Sequence, residues 1–297
     1  MKHKNRPALL MLTASMVIWG TLGIFRRYIP LSSGMLAFVR GAVGAAFLLV
    51  WLALRRQPVR WSFPRRILLL LLFSGALIGV NWMLLFEAYN YTSVATATLC
   101  YYMAPVLVIL ASPLVLRESL PLRKILCVIV ALAGMFFVSG AADGGLPGAG
   151  EARGIACGLA AAVLYASVVM LNKMLQGVGT YERTILQLAA AALVMVPYLW
   201  ATEDFSALTL TPRTAVLLLI VGVVHTGVAY ALYFGSMGGL RAQTVALFSY
   251  LDPVTAILLS ALLLREPMTA SGVLGAVMVL GSTIVSELWT GKPETTG

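Results

Sequence analysis

The chain has 297 residues, of which 60% are hydrophobic and only 11% are charged, and its mean hydropathy is +0.93. Soluble domains carry about 25% charged residues, so this composition excludes an ordinary soluble protein and indicates a polytopic membrane protein. The formal net charge of +10 does not indicate nucleic-acid binding. The basic residues lie mostly in short loops between apolar runs, which is typical of a topology signal against anionic lipid.

Apolar runs of about 20 residues, the length that crosses a bilayer, recur along the chain. Ten spans are predicted, at approximately residues 8–26, 34–54, 66–88, 93–116, 122–140, 154–175, 184–200, 213–236, 242–264 and 270–289. The first run is longer than the hydrophobic region of a signal peptide and no small-residue cleavage site follows it, so we expect it to be retained. The longest connection, residues 141–153, is rich in Gly and Pro and is typical of a flexible linker.

Two segments of the chain match each other without a gap, residues 99–118 and residues 247–266. Each is apolar, has a Pro in its first half and ends in an Arg-Glu pair. The match extends span by span, so the chain reads as two copies of a five-span unit. Because five is odd, consecutive copies have opposite orientations in the membrane. The sequence therefore predicts an all-α polytopic membrane protein with ten transmembrane helices arranged as two inverted five-helix repeats.

The predicted boundaries place the first repeat at residues 7–141, a linker at 142–153, the second repeat at 154–290 and a C-terminal tail at 291–297. Fifteen of the 21 Lys and Arg residues fall on the same side as the two termini. Five fall on the other side, and Arg40 lies within a span. The positive-inside rule then predicts that both termini are cytoplasmic.

The matched Arg-Glu pairs fall on opposite faces of the membrane in this topology. Glu118 is cytoplasmic and Glu266 is external. A feature that is kept on both faces favours turn capping over a role as a gate, since both glutamates lie in turns that precede the next span.

Several short motifs resemble those of a known transporter family: Trp19-Gly20, Arg40, Asn81-Trp82 with Glu87-Ala88-Tyr89 after them, and the two Pro-to-Glu spans at residues 105–118 and 253–266. With the ten spans, they make nearly the whole chain similar to the drug/metabolite transporter superfamily, in particular its EamA type. The resemblance implies a central cavity shared by the two repeats, alternating access, and a multi-pass location in the inner (plasma) membrane of a bacterium. Similar members export amino acids and related metabolites, while relatives carry nucleotide sugars, triose phosphates or choline.

A charge at the centre of a span costs about 2.5–3.5 kcal/mol on insertion scales, so it is paired, hydrated or functional. Arg40 lies about a third of the way into the second span, and its planar guanidinium suits a carboxylate or a phosphate. The alternatives for Arg40 are an ion pair with Glu87 or Asp252, or a side chain that snorkels to the interface.

Three other polar residues are candidates for coupling or gating: Glu87, His225 and Asp252. Asp252 precedes Pro253, which disfavours helical geometry and frees carbonyl groups that bind a ligand or an ion. The alternative is a satisfied kink, as at Pro105. Glu87 also fits an interfacial carboxylate. His225 titrates near neutrality but also fits a hydrogen-bonded packing residue.

Aromatic and amide side chains complete the predicted substrate-binding residues, which are Trp19, Arg40, Asn81, Trp82, Tyr101, Tyr102, Tyr165, Gln187, Tyr230 and Tyr250. Trp19 matches Tyr165 and Tyr102 matches Tyr250 across the two copies. Aromatic faces hold an ammonium group by cation–π attraction. Arg40, Asp252 and these rings would therefore suit a zwitterion.

The favoured function is export of an amino acid or similar zwitterion by a secondary transporter, with or without proton coupling. The alternative is uptake or exchange of an organic cation such as choline, against which Arg40 argues. An enzyme is not expected, because no HExxH or GxSxG motif is present. The expected partners are a small-molecule substrate and the lipid bilayer, with no cofactor, metal or nucleic acid, and the sequence leaves monomer or dimer open.

Overall fold

The computed structural model describes residues 6–57, 61–115, 122–138, 148–175, 177–205, 210–237 and 248–290, with residues 142, 240 and 245. All of the regular structure in these ranges is helical. Seven helical segments are long and apolar enough to cross a membrane, and they are Arg6–Tyr28, Ser33–Leu54, Arg65–Tyr91, Val94–Ala111, Ala149–Asn172, Thr180–Thr202 and Pro212–Ser236. Two shorter apolar helices follow, Leu251–Leu263 and Ala270–Ser286. The chain is therefore an all-helical polytopic membrane protein, while the count of ten spans and their inverted repeat stay predictions.

The helices follow one another with short connections. In chain order they are α1 (Arg6–Gly20), α2 (Leu22–Tyr28), α3 (Ser33–Leu54), α4 (Arg65–Tyr91), α5 (Val94–Tyr101), α6 (Ala104–Val115), α7 (Leu122–Val138), α8 (Ala149–Met174), α9 (Thr180–Thr202), α10 (Pro212–Leu219), a π-helix (Ile220–Val228), α11 (Ala229–Met237), α12 (Leu251–Leu263) and α13 (Ala270–Thr290). Side-chain caps begin several of them. Ser32, Ser93 and Thr211 each accept a backbone N–H at the start of α3, α5 and α10.

Four interruptions break these helices within apolar segments. Thr21 separates α1 from α2, and its hydroxyl donates to the carbonyl of Ile18, a back-bond that bends helices, directly after Gly20. Tyr102 and Met103 separate α5 from α6, so Pro105 falls in the first turn of α6, where its missing N–H costs no helical bond.

The other two interruptions lie in the second half of the chain. The π-helix joins α10 to α11 within one apolar segment. Tyr250 precedes α12, which places Pro253 in the first turn of that helix. Non-helical or loosened backbone at membrane depth is tolerated where it is buried in protein or lines a cavity.

Helices that are distant in the chain pack against one another around the interruptions. α4 packs on α8 and α9, α3 packs on α9 and the π-helix, and α1 packs on α11 and α12. α7 and α13 pack against each other at the side of this assembly. One apolar cluster is centred on Leu36, Phe86 and Leu188, and a second joins α6, α7 and α13.

Parts of the predicted repeat lie outside the described residues. These are the Arg117-Glu118 pair, residues 143–147 of the predicted linker, and Leu247 at the start of the second matched segment. Glu266 is described, and it does more than cap its own turn. Its carboxylate accepts from the backbone N–H of Val94 at 2.8 Å and from Ser260, and it forms an ion pair with Arg27 at 2.6 Å.

Candidate functional site

Arg40 is a buried cation that the described part of the chain leaves without a carboxylate partner. The residue is only 5% exposed, which excludes a side chain that snorkels to the surface. Its Cζ lies 4.0 Å from the centroid of the Trp82 ring and 6.0 Å from that of Phe86. Its Nε donates to the Thr226 hydroxyl at 3.1 Å. The two ion pairs found among the described residues involve other arginines, so the alternative of a pair with Glu87 or Asp252 does not apply to this conformation.

Asp252 lies near Arg40 but is held by a tyrosine. The Tyr102 hydroxyl donates to Asp252 Oδ2 at 2.8 Å. Asp252 is close enough to act on the Arg40 charge, yet it does not reach ion-pair distance. Gly20 permits this arrangement, because a Cβ at that position would lie 2.6 Å from the Asp252 carbonyl oxygen. The end of α1 thus packs directly on the first turn of α12.

Tyrosine side chains connect the surroundings of the two charges. The Tyr101 ring centroid is 6.2 Å from that of Tyr102 and 5.3 Å from that of Tyr165. The Tyr101 hydroxyl donates to Asn81 Oδ1 at 3.4 Å. Tyr102 and Tyr250, which match across the predicted repeats, have ring centroids 6.3 Å apart.

Trp19 joins α1 to the π-helix. Its Nε1 donates to the backbone carbonyl of His225 at 2.8 Å. Its ring centroid is 5.2 Å from that of Tyr230 and 5.3 Å from that of Tyr233. We call Trp19, Arg40, Trp82, Tyr101, Tyr102, Thr226, Tyr230 and Asp252 the central cluster.

His225 is buried and hydrogen-bonded beside the central cluster. It is 1% exposed, its Nε2 lies 2.8 Å from the Thr21 hydroxyl, and its ring packs on Phe25 at 4.7 Å between centroids. These contacts fit the packing interpretation of His225, while a role in coupling stays a prediction.

Gln187 and Glu87 lie apart from the central cluster. The Gln187 amide donates to Ser74 at 2.7 Å and to Asn172 Oδ1 at 2.8 Å, which uses both of its N–H groups. Glu87 accepts from Ser33 at 2.8 Å and pairs with Arg153 at 3.3 Å near the end of α4. Their predicted roles in binding and gating therefore depend on another conformation or another contact.

Two functional candidates carry no sequence signal of their own. Thr226 touches Arg40 because the π-helix brings it there, and Thr21 touches His225 because α1 ends at Gly20. A Thr within an apolar run is ordinary in any membrane helix. Only the interruption at Thr21 had a weak signal, since it directly follows Gly20 in the predicted first span.

An all-helical membrane protein with opposite charges and aromatic rings buried around broken helices has the organisation of a solute carrier. The model of the EamA-like transporter family matches residues 6–140 and again residues 152–287. The chain belongs to this family, and it is a multi-pass transporter and not an enzyme.

Named relatives are similar over most of their length. The "Uncharacterized transporter YxxF" of Bacillus subtilis is 30% identical, with 94% of this chain and 88% of that protein aligned. Protein RarD of Escherichia coli is 27% identical, covering 86% of each chain, and Protein PecM of Dickeya dadantii is 26% identical, covering 90% of this chain and 88% of PecM. One solved crystal structure shares the fold with a TM-score of 0.68 over 95% of this chain and 96% of its own, at 21% identity.

Proposed function

We propose that this protein exports an amino acid or a similar zwitterion across the bacterial inner membrane as a secondary transporter. The observation that carries the proposal is the separation of Arg40 and Asp252, two opposite charges in the central cluster that do not pair with each other; Arg40 is buried and Asp252 is half-buried. A buried charge without a partner loses its hydration and gains no ion pair. A zwitterion bound between them supplies the missing partner to each.

Arg40 binds the carboxylate of the substrate in this proposal. Its Nε is occupied by Thr226 and one face of its guanidinium lies over Trp82, while the terminal Nη groups have no described carboxylate beside them. Two parallel N–H groups match the two oxygens of a carboxylate, and such charge-assisted pairs are about twice as strong as neutral hydrogen bonds. The side chain is thus preorganised for a ligand and does not need to leave an ion pair first.

Asp252 and the aromatic rings bind the ammonium group. The Tyr102 hydroxyl fixes Asp252 from one side, and Trp19 and Tyr230 offer ring faces within the same cluster. When the substrate leaves to the outside, Asp252 takes up a proton in place of the ammonium group. The proton then returns to the cytoplasm with the carrier, which couples export of substrate to entry of a proton.

Alternating access uses the two predicted five-helix repeats, with both termini in the cytoplasm. The family model matches each half of the chain, which supports a repeat. Each half also contains helix interruptions at the cluster, at Thr21 and Tyr102 in the first half and at the π-helix and Tyr250 in the second. Discontinuous helices around the substrate are a recurring feature of inverted-repeat transporters. The proposal requires only the substrate and the bilayer as partners, and it holds for a monomer or a dimer.

The end of the helices near Glu87 and Glu266 is the external end in the predicted topology. Two ion pairs lie there, Arg27 with Glu266, which joins the two halves, and Glu87 with Arg153, which joins α4 to the start of α8. Arg27 also donates to the carbonyl of Thr92 at 2.9 Å. We infer that this conformation is closed on the outside, and that these bonds open during the release of substrate.

The first test is a thermal-shift screen of the detergent-purified protein with amino acids, their decarboxylated amines, quaternary amines and small carboxylates. A ligand at a hundredfold excess over its Kd stabilises the folded state by about 2.7 kcal/mol. We expect stabilisation by amino acids and much weaker stabilisation by the corresponding amines, which lack the carboxylate that Arg40 would bind. Stabilisation by quaternary amines alone would overturn the zwitterion site and favour the uptake of an organic cation such as choline.

A flux assay in proteoliposomes then tests transport itself. Unlabelled substrate on the far side is expected to accelerate the entry of labelled substrate, because a carrier shows counterflow and a channel does not. An inwardly directed proton gradient is expected to drive efflux of the substrate. An efflux rate that does not depend on the gradient would contradict proton coupling but not the carrier mechanism.

A further inference from the structure

We propose that Thr226 is the positioning residue that sets the orientation of the Arg40 guanidinium, and thereby the preference of the site for ligands with a carboxylate. This inference rests on the proposed function, because it assigns Arg40 to the substrate carboxylate. Thr226 itself is not proposed to touch the substrate. Its role is exerted through Arg40.

The hydrogen bonds of Thr226 leave its hydroxyl no freedom. The residue is fully buried, and its Oγ1 donates to the carbonyl of Val221 at 3.1 Å. A hydroxyl has one proton, so the same oxygen acts as an acceptor for Arg40 Nε at 3.1 Å. The direction of the Nε–H bond fixes the plane of the guanidinium, because the five N–H groups of arginine form a rigid planar fork.

The π-helix makes this geometry available. In an α-helix a threonine hydroxyl bonds to the carbonyl three or four residues earlier, whereas Thr226 reaches the carbonyl five residues earlier. π-type segments are rare and are frequent at functional sites. The wider turn therefore places an acceptor where Arg40 needs one.

Packing against α3 fixes the Thr226 side chain as well. Gly44, one turn after Arg40 on α3, lies directly against the Cγ2 and Cβ atoms of Thr226. A Cβ at position 44 would collide with them, so this glycine permits the close approach of α3 and the π-helix. The methyl group is confined on the glycine side, and the hydroxyl is left to face Arg40 and Val221.

Trp82 completes the clamp on Arg40. The ring lies 4.0 Å from Cζ, which holds the face of the guanidinium, while Thr226 holds its Nε edge. The two Nη groups are the only part of the fork that neither contact occupies. Removing the Thr226 hydroxyl leaves the charge in place but frees the guanidinium to rotate about the ring face.

The test compares Thr226→Val with Thr226→Ser in binding of L-phenylalanine and phenethylamine and of L-leucine and 3-methylbutylamine. Valine keeps the shape of threonine without the hydroxyl, and serine keeps the hydroxyl without the methyl group. A hydrogen bond to a charged group corresponds to roughly a tenfold to hundredfold change in affinity. We expect Thr226→Val to lower amino-acid affinity by that factor and to leave binding of the amines unchanged, with recovery in Thr226→Ser.

The matched control is Thr283→Val, since Thr283 is also buried but bonds only to carbonyls of its own helix. We expect it to leave the preference for amino acids intact. An equal loss of amino-acid and amine binding in Thr226→Val, or no loss at all, would overturn the inference. If Thr226→Val does not fold, Thr226→Ala takes its place, and its losses of amino-acid affinity and amine affinity are compared in the same way.

The two proposals fail separately in this experiment. Suppose that wild type binds amino acids, that Arg40→Ala abolishes this binding and that Thr226→Val does not change it. The proposed function is then retained, and Thr226 has no part in it. Wild-type protein that binds none of these amino acids removes both.

Discussion

Arg40 and Arg27 are both arginines of the first half of the chain, but their surroundings differ. Arg27 lies at the end of α2, is partly exposed and pairs with Glu266 at 2.6 Å. Arg40 lies within α3, is almost fully buried and pairs with a hydroxyl and an aromatic face. The protein thus neutralises the charge that water can reach and leaves the buried charge without a counter-ion.

Under the proposed function, this difference separates a charge that holds the structure from a charge that binds the substrate. The ion pair of Arg27 with Glu266 is reinforced by the Val94 N–H and connects residues 239 positions apart. It stabilises the closed end. Arg40 gains about 2 kcal/mol from a desolvated cation–π contact, whereas its desolvation costs several kcal/mol. Folding therefore does not account for Arg40, and the proposed function assigns it to the substrate.

The largest expected effect follows from removal of the central charge. We expect Arg40→Met to lower amino-acid affinity by roughly 30-fold to several thousandfold, since truncating one partner of a buried charge pair costs about 2–5 kcal/mol. The ligand-free protein should melt at the same temperature or higher, because an unpaired buried charge has been replaced by an apolar chain. Thermal melts with and without amino acid measure both. A large fall in the ligand-free melting temperature would contradict the distinction between Arg40 and the structural residue Arg27.

Asp252→Asn tests the opposite charge of the same cluster. The amide keeps the size of the side chain and can still accept from Tyr102, so we expect the protein to fold normally. Affinity for amino acids should fall by roughly tenfold to hundredfold, the range for a hydrogen bond to a charged group. Proteoliposome flux should also lose its response to a pH gradient. Tyr102→Phe is the matched control, and it should retain the response to the gradient.

Glu266→Ala addresses the closed end. It removes the contacts to Arg27, Val94 and Ser260 together, so we expect the free energy of unfolding to fall by about 2 kcal/mol. Amino-acid affinity should change much less than in Arg40→Met. A double-mutant cycle with Arg27→Met measures the coupling, and strictly additive losses would show that the two residues do not stabilise each other.

The smallest effect is expected at the exposed pair of Arg153 with Glu87. The Arg153 side chain is 59% exposed and its nitrogen lies 3.3 Å from the carboxylate. Exposed pairs contribute about 0–1 kcal/mol, so Arg153→Ala should change stability by less than about 1 kcal/mol. Unfolding in detergent at low and high salt provides the measurement. A loss of unfolding free energy equal to that in Glu266→Ala would show that Arg153, like Arg27, stabilises the structure.

The amino-acid sequence was sufficient to predict the class of protein and to single out Arg40 and Asp252 as candidates. Hydropathy marks membrane helices because every backbone polar group must be satisfied within the bilayer, which is a local property of each segment. The same physics makes Arg40 and Asp252 visible, since charged residues are expensive in apolar runs. The family motifs agree with the family model that matches both halves of the chain.

The partners of these residues depended on tertiary structure. Arg40 meets Thr226 across 186 positions, Trp19 meets the His225 carbonyl across 206, and Gln187 turns to Ser74 and Asn172. The π-helix decides the first of these contacts, and it has no sequence signature because its altered hydrogen bonds are stabilised by close packing against α3. Hydropathy therefore determined which segments enter the membrane and which charged residues lie within them, while the packing between distant helices decided which of those charges are paired.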